Sequence, residues 1–162
     1  MNTVLRNAGP ADWPAILALN EEFVHFLSPM DEVRLAVLAT ASCYFRIIEV
    51  DGAVAAFLMA FRKGATYDGA IFRHFESWAG DFLYIDRIVV DGRYRRHGLA
   101  DRLYDDLENF AHTEGIGRLL CEVNIVPPNE TSLGFHERRG FGEIGQLDRS
   151  SKVVSLREHL LR

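Results

Sequence analysis

The stretch that most limits how this chain can fold is a pair of strand-like runs, Tyr44–Val50 and 53–61, hinged on Asp51-Gly52. Asp-Gly between two such runs is a preferred two-residue hairpin turn, because both central residues must accept positive φ. The elements after it come in a definite order. A strand over 82–90 is broken at Asp91-Gly92, and a helix over 98–112 carries Leu99, Leu103, Leu107 and Phe110 on one face. A strand over 119–126 ends at Pro127-Pro128, and a helix over 130–139 stops at Gly140. Short strands over 141–147 and 152–156 finish the chain. Ahead of the hairpin, a short strand at Val4-Leu5 precedes a helix capped by Asp12. Its apolar stripe is Trp13, Ile16, Leu17, Phe23 and Leu27. Ser28-Pro29 breaks this helix, and Asp31 starts a second one through Leu35 and Leu38. This order predicts an α/β (α+β) fold, a mixed sheet with helices packed on it. Residues 62–80 show no clean period. A long irregular segment inside a small domain is often functional.

The 162 residues suit a single domain over 1–162. A chain of this size buries roughly two-thirds of the surface its unfolded form exposes, so it needs no metal or disulfide to fold. Cys43 and Cys121 match no zinc spacing or redox pair and are expected as buried free thiols. The six histidines show no paired ligand spacing, so no metal is implied. Eighteen Lys and Arg against 23 Asp and Glu leave a net charge of −5. That balance argues against nucleic acid as a partner, since phosphate neutralisation needs a clustered basic surface. No secretory leader opens the sequence, and no apolar run reaches the ~18 residues needed to span a membrane. The expected address is cytoplasmic, with no membrane partner.

Chemistry concentrates at Arg95-Arg96-His97-Gly98-Leu99-Ala100, between the apolar strand and the amphipathic helix. Glycine and alanine let the backbone approach a ligand closely, and free amides at a helix start attract anions. With Arg93, four basic side chains gather there in an acidic protein. The local chemistry asks for a phosphate.

These residues resemble the pyrophosphate-binding signature R/Q-x-x-G-x-G/A of the GCN5-related N-acetyltransferase (GNAT) superfamily, matched by Arg95, Gly98 and Ala100. A second signature, N-x-x-A/S-x-x-F-Y-E-x-x-G-F, is met by Asn129, Ser132, Phe135, Glu137, Gly140 and Phe141. Position 136 departs from it, with histidine where the family usually has tyrosine. The resemblance implies a mostly antiparallel central sheet of about seven strands, containing one splayed parallel pair and flanked by about four helices.

It also implies a function: acetyl-CoA-dependent transfer of an acetyl group to a primary amine by direct attack in a ternary complex. The rival is a non-catalytic acyl-CoA-binding or regulatory module on the same fold, suggested by the missing tyrosine. Pantetheine would pair with backbone groups of Ile88, Val89 and Val90, left unpaired where the parallel strands part. The pyrophosphate would rest on the amides of Arg96, His97, Gly98, Leu99 and Ala100 beside Arg95. Asn129 and Ser132 would contact the cofactor arm. An amide near Ile88 would polarise the thioester carbonyl.

An amine with a pKa near 10 must lose a proton before it attacks. Asp86 is on the same strand face as Tyr84. Glu122, on the neighbouring strand, would align under the resemblance with a glutamate that some family members use as base. Both are candidate bases acting through water. His136 could protonate the departing thiolate, or only pack in its helix; Tyr84 or Tyr104 could stand in. The acceptor side is expected between the first helices and the 62–80 segment. There Glu21, Glu22, Asp31, Glu32 and Glu76, with Trp78 and Tyr67, would suit a cationic amine. Dimers are common in such folds, and the final strands offer an exposed edge. Gly140-Phe141-Gly142-Glu143-Ile144-Gly145 spells G-x-G-x-x-G, but it follows a helix and leads into a strand. A dinucleotide fingerprint needs the reverse order.

Overall fold

The computed structural model describes residues 1–78 and 80–162. The chain runs β1 (Thr3–Asn7), α1 (Trp13–Glu22), α2 (Glu32–Ala41), β2 (Tyr44–Val50), β3 (Ala53–Arg62), α3 (Ala70–Glu76) and β4 (Leu83–Val90). It continues with α4 (Leu99–Glu114), β5 (Arg118–Val126), α5 (Glu130–Arg138), β6 (Gly142–Arg149) and β7 (Lys152–Leu160). The strands form one sheet in the order β1-β2-β3-β4-β5-β7-β6. All neighbours are antiparallel except β4 and β5. Asp51 and Gly52 take φ of 50° and 86°, as the hairpin signal requires.

Both faces of the sheet are covered. On one, α4 buries Leu99, Leu103, Tyr104, Leu107 and Ala111 against Leu58, Leu83 and Ile85. On the other, α1, α2 and α3 bury Ile16, Leu35, Leu38, Phe72 and Phe75 against Ile47, Phe57 and Phe61. Among the described residues no helix is long and apolar enough to cross a membrane.

Three local expectations are corrected. There are five helices among the described residues, because α3 forms inside the segment expected to be irregular. With seven residues it shows a single apolar repeat, and it is held by packing of Phe72 and Phe75 against Phe82 and Tyr84. The first helix ends at Glu22, so Phe23 and Leu27 lie in turns beyond it. Cys121 is buried, but Cys43 is exposed, in the link between α2 and β2. The G-x-G-x-x-G run starts after α5 and continues into β6, and no helix follows it among the described residues.

Two irregularities in β4 shape the centre of the molecule. Its parallel ladder with β5 consists of Leu83↔Leu119 and Tyr84↔Leu120, after which the strands part. Ile88, Val89 and Val90 stay paired with β3 and are open only towards β5. Opposite β3, Ile85 pairs with Ala60 and Arg87 with Met59, leaving Asp86 as an extra, bulged residue. A bulge resets the two-residue alternation of a strand. Leu83 and Ile85 face α4 and Tyr84 faces away; beyond the bulge Ile88 and Val90 face α4 and Val89 faces away.

Candidate active site

Where β4 and β5 part, two clefts of about 630 and 600 Å³ meet. Both are walled by Phe26, Leu27, Ile88, Asn129, Ser132 and His136.

The smaller cleft takes in most of the segment expected to cradle a phosphate. It is lined by Val89, Val90, Arg95, Arg96 and the Gly98–Ala100 turn. Arg96 and Gly98 take φ of 65° and 72°, folding the backbone so that Gly98 caps α4 with no side-chain acceptor in the way. The first-turn amides of a helix have no partner inside it, and here a 16-residue helix begins at the cleft wall. Arg95 lies over the Phe23 ring, 5.2 Å from its centroid. Two of the four expected basic groups do not reach the cleft. Arg93 turns back to Asp91, at 2.8 Å, and the exposed His97 is outside the lining. Asn129 caps α5 by accepting from the Ser132 amide at 3.2 Å, which fixes both residues at the junction.

The larger cleft holds both carboxylates. Tyr84 donates its hydroxyl to Glu122 Oε2 at 2.7 Å. Burial pushes the Glu122 carboxyl up to about 7; the Tyr84 bond opposes that shift and nearby Asp86 adds to it. Asp86 is engaged at both oxygens. Oδ1 accepts from the Tyr67 hydroxyl, and Oδ2 accepts from Arg87 Nε at 2.7 Å. Arg87 is buried as well, and its Nη1 donates to Asn20 Oδ1 at 2.9 Å. The bulge thus turns Asp86 and Arg87 into one ion pair that ties β4 to α1.

His136 is 3% exposed. Its Nδ1 lies 2.8 Å from the Ser132 carbonyl, an acceptor only, so Nδ1 carries the proton. Nε2 then accepts from the Tyr104 hydroxyl at 2.7 Å. Burial drives the imidazole down to about 4, so it is neutral at pH 7. Of the two roles left open for His136, a neutral ring with both nitrogens engaged fits packing, not a protonated donor.

The acceptor side differs from expectation. Glu21, Glu22, Asp31, Glu32, Glu76 and Trp78 do not line the cleft, whereas Tyr67 does. Asp31 is used as the α2 cap, accepting from the Arg34 amide, and Glu76 accepts from the Gly64 amide. The charged lining comes from elsewhere: Arg34 paired with Asp68, Arg87 paired with Asp86, and Arg149 and Lys152 from the β6–β7 turn. No local pattern marks Arg34, Arg87, Arg149 or Lys152 as site residues, because no window of the sequence shows which cations the fold brings to the cleft.

The pattern of the acetyltransferase (GNAT) family matches residues 12–141, most of the chain. The chain belongs to the GNAT family of acetyltransferases. A curated relative, thialysine N-epsilon-acetyltransferase of Caenorhabditis elegans, is 26% identical over 114 residues, covering 70% of this chain and 69% of the relative. The crystal structure of Ard1 from Thermoplasma volcanium superposes with a TM-score of 0.80 at 17% identity, over 100% of this chain and 99% of the other. An N-acetyltransferase from Staphylococcus aureus Mu50 gives 0.76 at 21% identity, over 100% of both chains. The GNAT fold and acetyl-CoA-dependent N-acetyltransferase activity follow, with acetyl-CoA as cosubstrate. The non-catalytic alternative, suggested by the missing tyrosine at position 136, gives way to an enzyme. A cleft beside a free helix start and an open strand edge is a suitable seat for the pyrophosphate and the amide-bearing arm of this GNAT cosubstrate.

Proposed function

We propose that this GNAT enzyme acetylates a primary amine directly, with Glu122 as the base and the cradle at Arg95, Arg96, Gly98, Leu99 and Ala100 holding the pyrophosphate. The observation that carries the assignment is the contrast between the two carboxylates. Asp86 spends both oxygens on Tyr67 and Arg87, whereas among the described residues Glu122 has Tyr84 as its one hydrogen-bonded side-chain partner. A base works best with a pKa near the working pH, and Glu122 sits at about 7. Asp86 is then a positioning residue that holds Tyr67 and Arg87 around the acceptor.

Acetyl-CoA supplies an acyl thioester: the amine nitrogen attacks its carbonyl carbon, the C–N bond forms, the C–S bond breaks and the electron pair leaves with sulfur. Glu122 accepts the amine proton, directly or through one water, and releases it to solvent. The Tyr84 hydroxyl orients the Glu122 carboxylate by donating to Oε2. A backbone amide near Ile88 faces the developing oxyanion from the open edge of β4. Ile88, Val89 and Val90 pair with the amides of the cosubstrate arm, and Asn129 and Ser132 border it.

No dedicated acid is needed for the sulfur. Thiols titrate near 8.5, so the thiolate is a competent leaving group and takes its proton from water. His136 supports this scheme by packing: with Nδ1 committed to Ser132 and Nε2 to Tyr104, it has no proton to offer.

The test is thiol release from acetyl-CoA against a panel of amines, beside calorimetric binding of acetyl-CoA. Amine-dependent release that Glu122→Gln lowers at least about a hundredfold, with acetyl-CoA affinity kept, is the expected result. Equal release by wild type and Glu122→Gln would sink the assignment of the base.

A further inference from the structure

Arg149 and Lys152 are directly opposed partners in the last register pair of the β6–β7 hairpin. Both line the larger cleft. Like charges directly opposite on neighbouring strands repel and destabilise the pairing. Among the described residues neither forms a contact ion pair: Lys152 Nζ donates to the His25 carbonyl at 3.1 Å, and the Arg149 guanidinium is felt by a carboxylate, Glu122, only through its longer-range charge. Asp148, the adjacent acid, is outside the lining. The cleft's other two cations are already neutralised, Arg34 by Asp68 and Arg87 by Asp86.

The cleft therefore has two ends of different chemistry. One offers Glu122 and Tyr84, suited to an amine. The other offers a guanidinium and an ammonium that no carboxylate touches among the described residues, Glu122 acting on Arg149 only at longer range. An amine lacking an anionic group would bring a cation into a space that already holds two. An acceptor carrying a carboxylate would relieve the repulsion between Arg149 and Lys152. A carboxylate accepts a fork of two hydrogen bonds from a guanidinium and a third from an ammonium, and such charge-assisted bonds are strong.

We propose that the acceptor is zwitterionic, an amino-acid-type molecule whose amine faces Glu122 and whose carboxylate is received by Arg149 and Lys152. The proposal rests on the transferase scheme above and adds the class of substrate to it. A polyamine, an uncharged-tail amine or the N-terminus of a long peptide lacks the group this pair would hold.

The experiment measures thiol release from acetyl-CoA for the common amino acids and for the α-carboxamide of each, with cadaverine and putrescine as amines without a carboxylate. The best acid is expected to exceed its own amide by about tenfold or more in kcat/KM. In Arg149→Ala/Lys152→Ala the ratio falls to within about threefold of one, the loss appearing in KM. In Arg149→Glu/Lys152→Glu the preference inverts towards the amides and diamines. Arg149→Gln alone keeps the tie from Lys152 to His25 and guards against a hairpin that merely comes loose; it too should lower the ratio.

Equal use of acids and amides by the wild type overturns the proposal and leaves the transferase scheme standing. So does a preference that survives the double alanine variant. A preference for amides does the same and points to a peptide N-terminus. Release from no amine at all, with acetyl-CoA bound, overturns the scheme and the proposal together.

Discussion

The Tyr84 hydroxyl reaches Glu122 Oε2 at 2.7 Å across the last register pair before the parallel strands part. Tyr84 is the final residue of β4 still laddered to β5, and Glu122 lies two residues past its partner Leu120. The bond therefore spans the mouth of the splay, where a reacting amine can approach.

Burial raises the Glu122 carboxyl to about 7, which sets a pH dependence for both rate and stability. The rate at saturating amine should rise with pH through an apparent pKa near 7, and Glu122→Gln should remove that limb; kcat profiles of the two enzymes check this. For stability the sign is opposite. The fold favours the protonated acid, so its stabilising effect is full below the ordinary carboxylate pKa and is lost as pH rises through 7. Glu122→Gln should melt at a higher temperature than wild type at pH 8, and this advantage should shrink at pH 5.

Asp86→Asn should act differently. It keeps the size of the side chain but leaves Arg87, which is buried, without its countercharge. Breaking one side of a buried ion pair costs about 3–5 kcal/mol. Denaturant titration should show that loss at pH 7.5, and the surviving folded enzyme should keep the pH limb, moved somewhat below 7 because the Asp86 charge no longer raises the Glu122 carboxyl. Disappearance of that limb in Asp86→Asn would move the base from Glu122 to Asp86.

The parts of this molecule that were legible in the sequence are those with local chemistry. Asp51-Gly52 marks its turn through backbone sterics, and α4 shows its stripe of Leu99, Leu103 and Leu107 on a helix long enough to repeat it. The left-handed turn at Gly98 that starts α4 follows from the same local rules. What escaped was set by tertiary packing. Helix α3 is too short to display a period and owes its form to aromatic neighbours contributed by β3 and β4. The bulge at Asp86 depends on the register with Met59 and Ala60, which no window of the sequence displays. Asp86 could be named as a candidate from strand alternation, and Glu122 from the family resemblance. Choosing between them required knowing that Arg87 and Tyr67 occupy Asp86. The neutrality of His136 likewise comes from burial, with Tyr104 and Phe141 packed around its ring from other elements of the fold.

His136→Phe tests whether the imidazole packs or transfers a proton. The ring would enter a cage of Tyr104, Phe135 and Phe141, with the Tyr104 hydroxyl left without its acceptor. That unpaired buried group costs about 1–3 kcal/mol, read by denaturant titration at pH 7.5. Turnover at saturating substrates should fall less than about tenfold, against the hundredfold expected of Glu122→Gln. There is also an acid signature. A buried imidazole lowered to about 4 stays neutral in the fold while the unfolded chain takes up a proton near 6.5, so wild type loses stability as pH falls from 6.5 to 4. The variant should show a smaller loss over that window.

Gly98→Ala probes the cradle. Gly98 has φ of 72°, and a β-carbon there would meet no protein atom within 4 Å. The cost to the fold is therefore backbone strain alone, about 1–2 kcal/mol for a left-handed alanine. The space the methyl would enter is the open side of the turn at the start of α4, where the pyrophosphate is proposed to rest against the amides. The variant should consequently lose more in acetyl-CoA affinity than in stability. Calorimetry should show at least a tenfold weaker Kd, with KM for the amine little changed. Arg95→Ala, which removes charge without straining the turn, should weaken acetyl-CoA binding in a salt-dependent way, because screening already reduces the contribution of a charge exposed to solvent. If Gly98→Ala binds acetyl-CoA as tightly as wild type, the pyrophosphate does not lie against this turn.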